Sequence, residues 1–262
     1  MKSVLDFQKM KKQDARISMV TCYDYTSARI VAASKADCIL VGDSGAMTMH
    51  GHTTTLAATP ELMAMHTEAV RRGAPEKFII GDMPFLAHRG SLDRALEAVR
   101  LIMKAGAQAV KIEGIDGSED TIARIVESGV PVMGHLGLTP QSVHKLGGFK
   151  VQATEDNATE ILLGQARRLE ECGAFALVLE CVPAKVAASV TANLSIPTIG
   201  IGAGSACSGQ VLVMQDLLGF NTEFQPKFVR KYLDGFNLLR DAFDRFDSDV
   251  KSGEFPTEKE SY

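Results

Sequence analysis

"SLDRALEAVRLIMKAGAQAVKIEG", Ser91 to Gly114, is one helix-to-strand unit, and its repetition along the chain decides the fold. From Ser91 to Gly106 the apolar residues recur at three- and four-residue intervals, the period of a helix that buries one face. "AVKIEG", Ala109 to Gly114, then reads as a short buried strand, although it carries a lysine and a glutamate two residues apart. Similar apolar runs begin at Ile17 ("ISMVTCYD"), Cys38 ("CILVGDS"), Lys77 ("KFIIGDMP") and Pro131 ("PVMGHLGL"). Three more follow at Ala174 ("AFALVLECV"), Pro197 ("PTIGIGAG") and Val211 ("VLVMQDLLG"), the last suiting a helix equally well. Helical patterns lie between several of them. "SEDTIARIVESG" closes on Gly129 as a C-cap signal, and Thr154 to Gly173 opens on a capping candidate. A short helix with Ser3 as its cap precedes the first run.

Strand–helix alternation implies parallel strands covered by helices. Eight strands over 262 residues favour closure into a (β/α)₈ TIM barrel, with an open doubly wound sheet as the rival. Residues 226–250 balance five basic against five acidic side chains over a helical apolar period, predicting one or two extra C-terminal helices packed on the barrel. The last stretch, "GEFPTEKESY", is polar and should fray. No linker interrupts the pattern, so residues 1–262 are expected to form a single domain.

A formal net charge of -4 and the absence of Trp give no case for nucleic acid or an anionic membrane. The amino end lacks the apolar stretch of a secretory signal, and no run is long enough to span a bilayer. A cytosolic protein is expected. Five cysteines without CxxC spacing read as small core residues.

Active sites of such barrels lie at the carboxyl ends of the strands. There the runs end in Asp43 followed by Ser44, in Asp82, in Glu113 and in Glu180, with His135 near the end of another. Side chains alternate by two, so Asp43 should share a face with Val41 and Ile39, Asp82 with Ile80, and Glu180 with Val178. Lys111 and Glu113 share a face as well. The mouth is the cheaper place for both charges, because a buried charge needs a partner or a metal. Asp43, Asp82 and Glu113 come from consecutive strands, and clustered carboxylates call for a cation among them. Mg²⁺ suits one or two carboxylates plus water and substrate oxygens. Lys111 fits an anion-holding group, with a structural ion pair or a Schiff-base lysine as alternatives. Glu180 stands roughly opposite among apolar neighbours, where burial would lift it towards the range of a general base; a further metal ligand or a structural acid are the other readings. His135 is either a core residue or a substrate contact. "GIGAG" reads as close backbone packing or as a phosphate loop, and "GHTTT" as a mobile loop over the mouth. Metal, lysine and opposed glutamate together suit a 2-oxo acid whose enolate the metal stabilises, without naming the electrophile. Another enolate enzyme of the same barrel design, such as a phosphoenolpyruvate mutase or an oxo-acid lyase, is the rival.

"VGDSGAM", "RRGAP", "VKIEG", "GHLGLTPQS", "GGFKVQ", "LVLECVP" and "IPTIGIGAG" resemble, in order, the ketopantoate hydroxymethyltransferases. The resemblance implies a Mg²⁺-dependent (β/α)₈ barrel in a homo-oligomer, typically a decamer. It also implies transfer of a one-carbon unit from 5,10-methylenetetrahydrofolate to 3-methyl-2-oxobutanoate, giving 2-dehydropantoate on the route to pantothenate. By motif, Asp43 and Asp82 match the metal ligands, and Glu113 the third member of that centre, with contact direct or indirect. Ser44 and Lys111 match substrate-holding residues, Glu180 the proton acceptor, and His135 a residue near the substrate. Gly45–Ala46 stand where the family has a bulky residue then glycine. Ile115 interrupts a glycine run, His50 replaces another polar residue, and Ala153 replaces a glycine.

Overall fold

Eight parallel strands close into a ring in chain order. The computed structural model describes residues 1–153, 157–222 and 225–262. The strands are β1 Ile17–Thr21, β2 Cys38–Val41, β3 Phe78–Asp82, β4 Ala109–Glu113, β5 Val132–Gly137, β6 Ala176–Glu180, β7 Thr198–Ile201 and β8 Gly209–Leu212. Every neighbouring pair is parallel, and β8 returns to β1 through Ile17 opposite Gly209. The helices, in chain order, are α1 Val4–Lys12, α2 Tyr25–Ala33, α3 Gly45–Thr48, α4 Pro60–Gly73, α5 Leu92–Lys104 and α6 Glu119–Glu127. They continue with α7 Val143–Leu146, α8 Ala158–Glu171, α9 Ala184–Asn193, α10 Met214–Leu217 and α11 Gly235–Ser252. The expected barrel, with its N-terminal and C-terminal helices, is the fold observed; the open sheet is not.

Local chemistry sets many of the boundaries. Asp24, Thr59 and Ser91 accept the amide of the third residue onward, satisfying one of the donors that a helix start leaves free. Ser3 caps α1 in the reverse sense, its own amide donating to Asp6 at 2.7 Å. The capping candidate Thr154 lies outside the described residues, and α8 begins at Ala158. Phe7 of α1 meets Phe78 and Phe175 at ring distances of 5.1 and 6.4 Å, so the N-terminal helix plugs the amino end of the barrel.

The sequence pattern differs from the structure in two places. The run from Val211 is neither all strand nor all helix: β8 begins earlier, at Gly209, and α10 takes the second half. Residues 202–208 join β7 to β8 without a helix, although parallel strands ordinarily need a much longer crossover. Gly202 and Gly204 adopt φ of +63° and +79°, which lets the chain return so quickly. The "GIGAG" glycines therefore serve close packing. No helix N-terminus follows them to hold a phosphate.

The described residues divide into two units, Met1–Val213 and Met214–Tyr262. The first contains the whole barrel. In the second, the amides of Tyr232 and Gly235 bond to Leu217 and Leu218, and one long helix, α11, follows. Phe236, Leu239, Phe243 and Phe246 form an exposed apolar stripe along it at helical spacing. Among the described residues no helix is long and apolar enough to cross a membrane.

Candidate active site

At the carboxyl ends of the strands, Asp82, Lys111 and Glu113 turn inward from β3 and β4, as their alternation predicts. Asp43 reaches the same place by another route. Cys38 and Leu40, not Ile39 and Val41, line the barrel interior, so the expected shared face is wrong for β2. The strand ends at Val41, and the turn into α3 carries Asp43 into the mouth. His135 and Glu180 arrive from β5 and β6. All line a cavity of about 90 Å³, on the scale of a few water molecules or one small acid.

Lys111 is the hub. It is only 3% exposed, with Nζ 2.9 Å from Asp82 Oδ1, 3.6 Å from Glu113 Oε1 and 3.2 Å from His135 Nδ1. Burial opposes its charge, but Asp82, Glu113 and Asp43 outweigh that and raise its pKa, so the ammonium stays charged. This environment excludes the Schiff-base reading, which needs a depressed pKa. Burial, reinforced by Asp82 and Glu113, pushes Asp43 well above the usual carboxylate range. Burial also raises Asp82, against the pull of Lys111. Glu113 goes the other way: Lys111 and His135 overcome its burial and hold it low. Three buried carboxylates thus share one lysine, leaving an excess of negative charge that a dication would relieve. Asp82 Oδ1 faces the lysine without an aligned hydrogen bond, which leaves that oxygen an open acceptor. Among the described residues no group of three or more His, Cys, Asp or Glu forms a cage for a metal. The donor set fits Mg²⁺ held by two carboxylates with water and substrate oxygens completing the shell.

His135 links the two halves of the site. Its Nδ1 is 3.2 Å from Glu113 Oε1, and its Nε2 is 3.2 Å from Glu180 Oε2, the latter off the line of a hydrogen bond. Burial and Lys111 work against a cationic ring, but Glu113 and Glu180 outweigh them and push His135 up to about 9. Glu180 differs from its sequence reading. Its side chain retains 18% exposure, so it stands at the rim and is not walled in by apolar neighbours. It faces β2 across the ring yet lies only two strands from β4, with His135 between. Cys181, next in the chain, adopts φ +47°, a strained value of the kind that often accompanies functional positions.

Residues that the sequence did not single out complete the site. Gln141 donates its amide to Asp43 Oδ2 at 2.8 Å and to the Met83 carbonyl at 2.9 Å, and its backbone N–H bonds Glu113 Oε2 at 3.0 Å. Tyr23, fully buried, pairs its hydroxyl with Ser44 Oγ at 2.8 Å. A Cβ at Gly45 would lie 2.8 Å from the Tyr23 ring, so a bulky residue there would have to displace it. Thr55 lines the small cavity with a buried hydroxyl that has no partner among the described residues. It belongs to "GHTTT", and a turn at Thr55–Ala57 anchors that segment. His50 is likewise tied down, 2.9 Å from His66, whose other ring nitrogen is 2.6 Å from the Tyr23 carbonyl. All five cysteines are free, three of them buried.

Fold and site together define a (β/α)₈-barrel enzyme with its acid–base groups gathered at one end of the ring. Residues 1–258 match the family described as ketopantoate hydroxymethyltransferase. The chain is 59% identical over 252 residues to a 3-methyl-2-oxobutanoate hydroxymethyltransferase of Coxiella burnetii, covering 96% of this chain and 95% of that protein. It is 56% identical over 262 residues to the enzyme of the same name from Bdellovibrio bacteriovorus, covering all of both chains. The chain belongs to the ketopantoate hydroxymethyltransferase family and is an enzyme of that type. Among solved structures, 2,3-dimethylmalate lyase superposes with a TM-score of 0.65 at 15% identity, over 95% of this chain and 86% of the lyase. Phosphoenolpyruvate phosphomutase from Streptomyces platensis subsp. rosaceus gives 0.63 at 12%, over 96% and 88%. At such identities the likeness is one of fold.

Proposed function

We propose that the chain transfers a hydroxymethyl group from 5,10-methylenetetrahydrofolate to 3-methyl-2-oxobutanoate, forming 2-dehydropantoate for pantothenate synthesis. The observation that carries this reading is the buried Asp43–Asp82–Lys111–Glu113 cluster, joined through His135 to Glu180 around one small cavity. Asp43 and Asp82 would hold Mg²⁺. Both oxygens of Glu113 are already engaged, which favours an outer position acting through water. When bound, the ion supplies electrophilic polarisation of the substrate's keto group.

The remaining roles belong to the side chains. Lys111 holds the substrate carboxylate, and Ser44, steadied by Tyr23, donates to the substrate from the rim. Glu180 removes the proton from C3, while His135 orients it and balances its charge. The C3 carbanion, delocalised as the enolate, forms a C–C bond to the one-carbon unit. The two C–N bonds that held that carbon to the folate break, and one water supplies the hydroxyl oxygen, leaving tetrahydrofolate.

The exposed stripe on α11 supports self-association, and a homodecamer in the cytoplasm is the proposed form. The test is to supply purified protein with 3-methyl-2-oxobutanoate, methylenetetrahydrofolate and Mg²⁺. The expected product is 2-dehydropantoate, and turnover of a phosphonate-bearing oxo acid without folate would replace this reading. Asp43→Ala and Asp82→Ala should weaken Mg²⁺ binding in a calorimetric titration, and unchanged titrations would remove them from the metal site.

A further inference from the structure

The hydrogen bonds that join Ser44, Tyr23, His66 and His50 close a ring with the chain itself. The Tyr23 hydroxyl is 2.8 Å from Ser44 Oγ, the Tyr23 carbonyl is 2.6 Å from His66 Nδ1, and His66 Nε2 is 2.9 Å from His50 Nε2. Residues 44–50, running through the short helix α3, complete the circuit. At one point of it Ser44 lines the small cavity, and at another His50 is exposed to solvent. The anchor is a long helix: His66 sits on the buried face of the 14-residue α4, beside Met63, Thr67 and Val70, and is 8% exposed. Chemistry fixes its tautomer. A carbonyl can only accept, so His66 Nδ1 carries the hydrogen; with both rings neutral, His66 Nε2 accepts and His50 Nε2 donates. The other end of the circuit is directional as well. Burial pushes the Tyr23 hydroxyl up to about 12, so it keeps its proton and can donate to Ser44, whose own hydrogen is then free to point into the cavity.

We propose that His50 and His66 are positioning residues for the oxo acid, aiming the Ser44 hydroxyl through Tyr23. The proposal rests on the transferase reading given above and adds these two side chains to it. Neither imidazole lines the small cavity, so an effect of either on the substrate must pass through the ring of bonds. The Tyr23 ring that relays it has no slack: it is fully buried, and a Cβ at Gly45 would lie only 2.8 Å from it. His50 also pins the start of the segment that runs on to Thr55 in the same cavity. Removing the His50 donor leaves the buried His66 Nε2 unpaired, a cost that favours a shift of the His66 ring and of the Tyr23 it holds.

A cycle of variants tests it, read by proton exchange at C3 of 3-methyl-2-oxobutanoate with Mg²⁺ and without folate. His50→Ala and Tyr23→Phe should each raise KM about tenfold and leave kcat within about twofold, the split that follows when a binding contact is lost equally in ground and transition states. The double variant should be no worse than Tyr23→Phe alone, because both changes act on one hydroxyl. His50→Gln, whose amide can still donate to His66 Nε2, should return KM to within about twofold of wild type. Nitrogen NMR of the imidazoles in wild-type protein, a readout that needs no substrate, should show His66 as the Nδ1–H tautomer. Absence of exchange in wild-type protein would place the fault in the transferase reading, and the positioning role would fall with it. With wild-type exchange intact, three results would each overturn the positioning role alone. These are an unchanged KM in His50→Ala, penalties that multiply in the double variant, and His50→Gln as impaired as His50→Ala. The Nε2–H tautomer at His66 would do the same.

Discussion

Lys111→Met would test the electrostatics of the site most directly. The ammonium is 2.9 Å from Asp82 Oδ1, where the gross attraction at an effective dielectric near 20 is about 6 kcal/mol. Desolvation of the lysine offsets much of this, but removing one member of a buried cluster leaves its partners unpaired, at a net cost of about 3–5 kcal/mol. At about 2–3 °C per kcal/mol for a chain of this size, the melting temperature should fall roughly 6–15 °C. The measurement is differential scanning calorimetry in EDTA, repeated with saturating Mg²⁺. The variant should recover more than wild type does from the metal, because the cation replaces the missing charge; binding at about 100 times Kd is worth about 2.7 kcal/mol. A melting temperature within about 2 °C of wild type in EDTA would refute the reasoning. So would a response to Mg²⁺ no larger than that of wild type.

Glu180→Gln should slow C3 proton exchange about 10²–10⁴-fold while oxo-acid affinity, read by calorimetry, stays within a few-fold; native exchange would reject the base assignment. Thr55→Val should separate function from stability. Its buried hydroxyl lines the cavity and has no partner among the described residues, so the variant should melt no lower than wild type while KM for the oxo acid rises about tenfold or more. A lower melting temperature with unchanged KM would make Thr55 structural. Ala153 adopts φ +56°, a conformation that glycine takes without strain, so Ala153→Gly should stabilise the fold by about 1 kcal/mol in denaturant titration. No gain would show that the strain is absorbed elsewhere. Burial would raise Glu170, but its bonds to Ser195 and Ile196 outweigh that and hold its pKa below 4.5. Its stabilisation is therefore complete above that value and lost as pH falls through the lower, folded one. The melting-point gap between wild type and Glu170→Gln should be present at about pH 7 and close in strong acid; a gap independent of pH would contradict this.

The barrel was legible because its signals are local. Alternation of two and of 3.6 can be counted, and inward charges at the ends of β3 and β4 are too costly to place elsewhere. Asp43 shows the limit. Its position in the mouth was read correctly from an alternation that β2 does not obey, because the strand stops two residues short and a turn does the aiming. Gln141 and Thr55 were missed because an amide or hydroxyl in a loop carries no local mark; only closure of the ring shows Gln141 against a carboxylate 98 residues away. Apolar neighbours implied a buried Glu180, yet neighbours along a strand report the layers beneath it and say little about the open rim. The helix missing between β7 and β8 was hidden by glycines that fit either a loop or a ligand turn.

The acids of the cluster, and the lysine they share, all come from residues 43–113, on or just after adjacent strands in the first half of the chain. During synthesis that half emerges first, carrying its concentrated negative charge before the ring can close. Lys111 is a counterion that the nascent chain supplies for itself. If Mg²⁺ serves the activity as proposed above, a cell short of magnesium should still accumulate folded protein and lose its activity first.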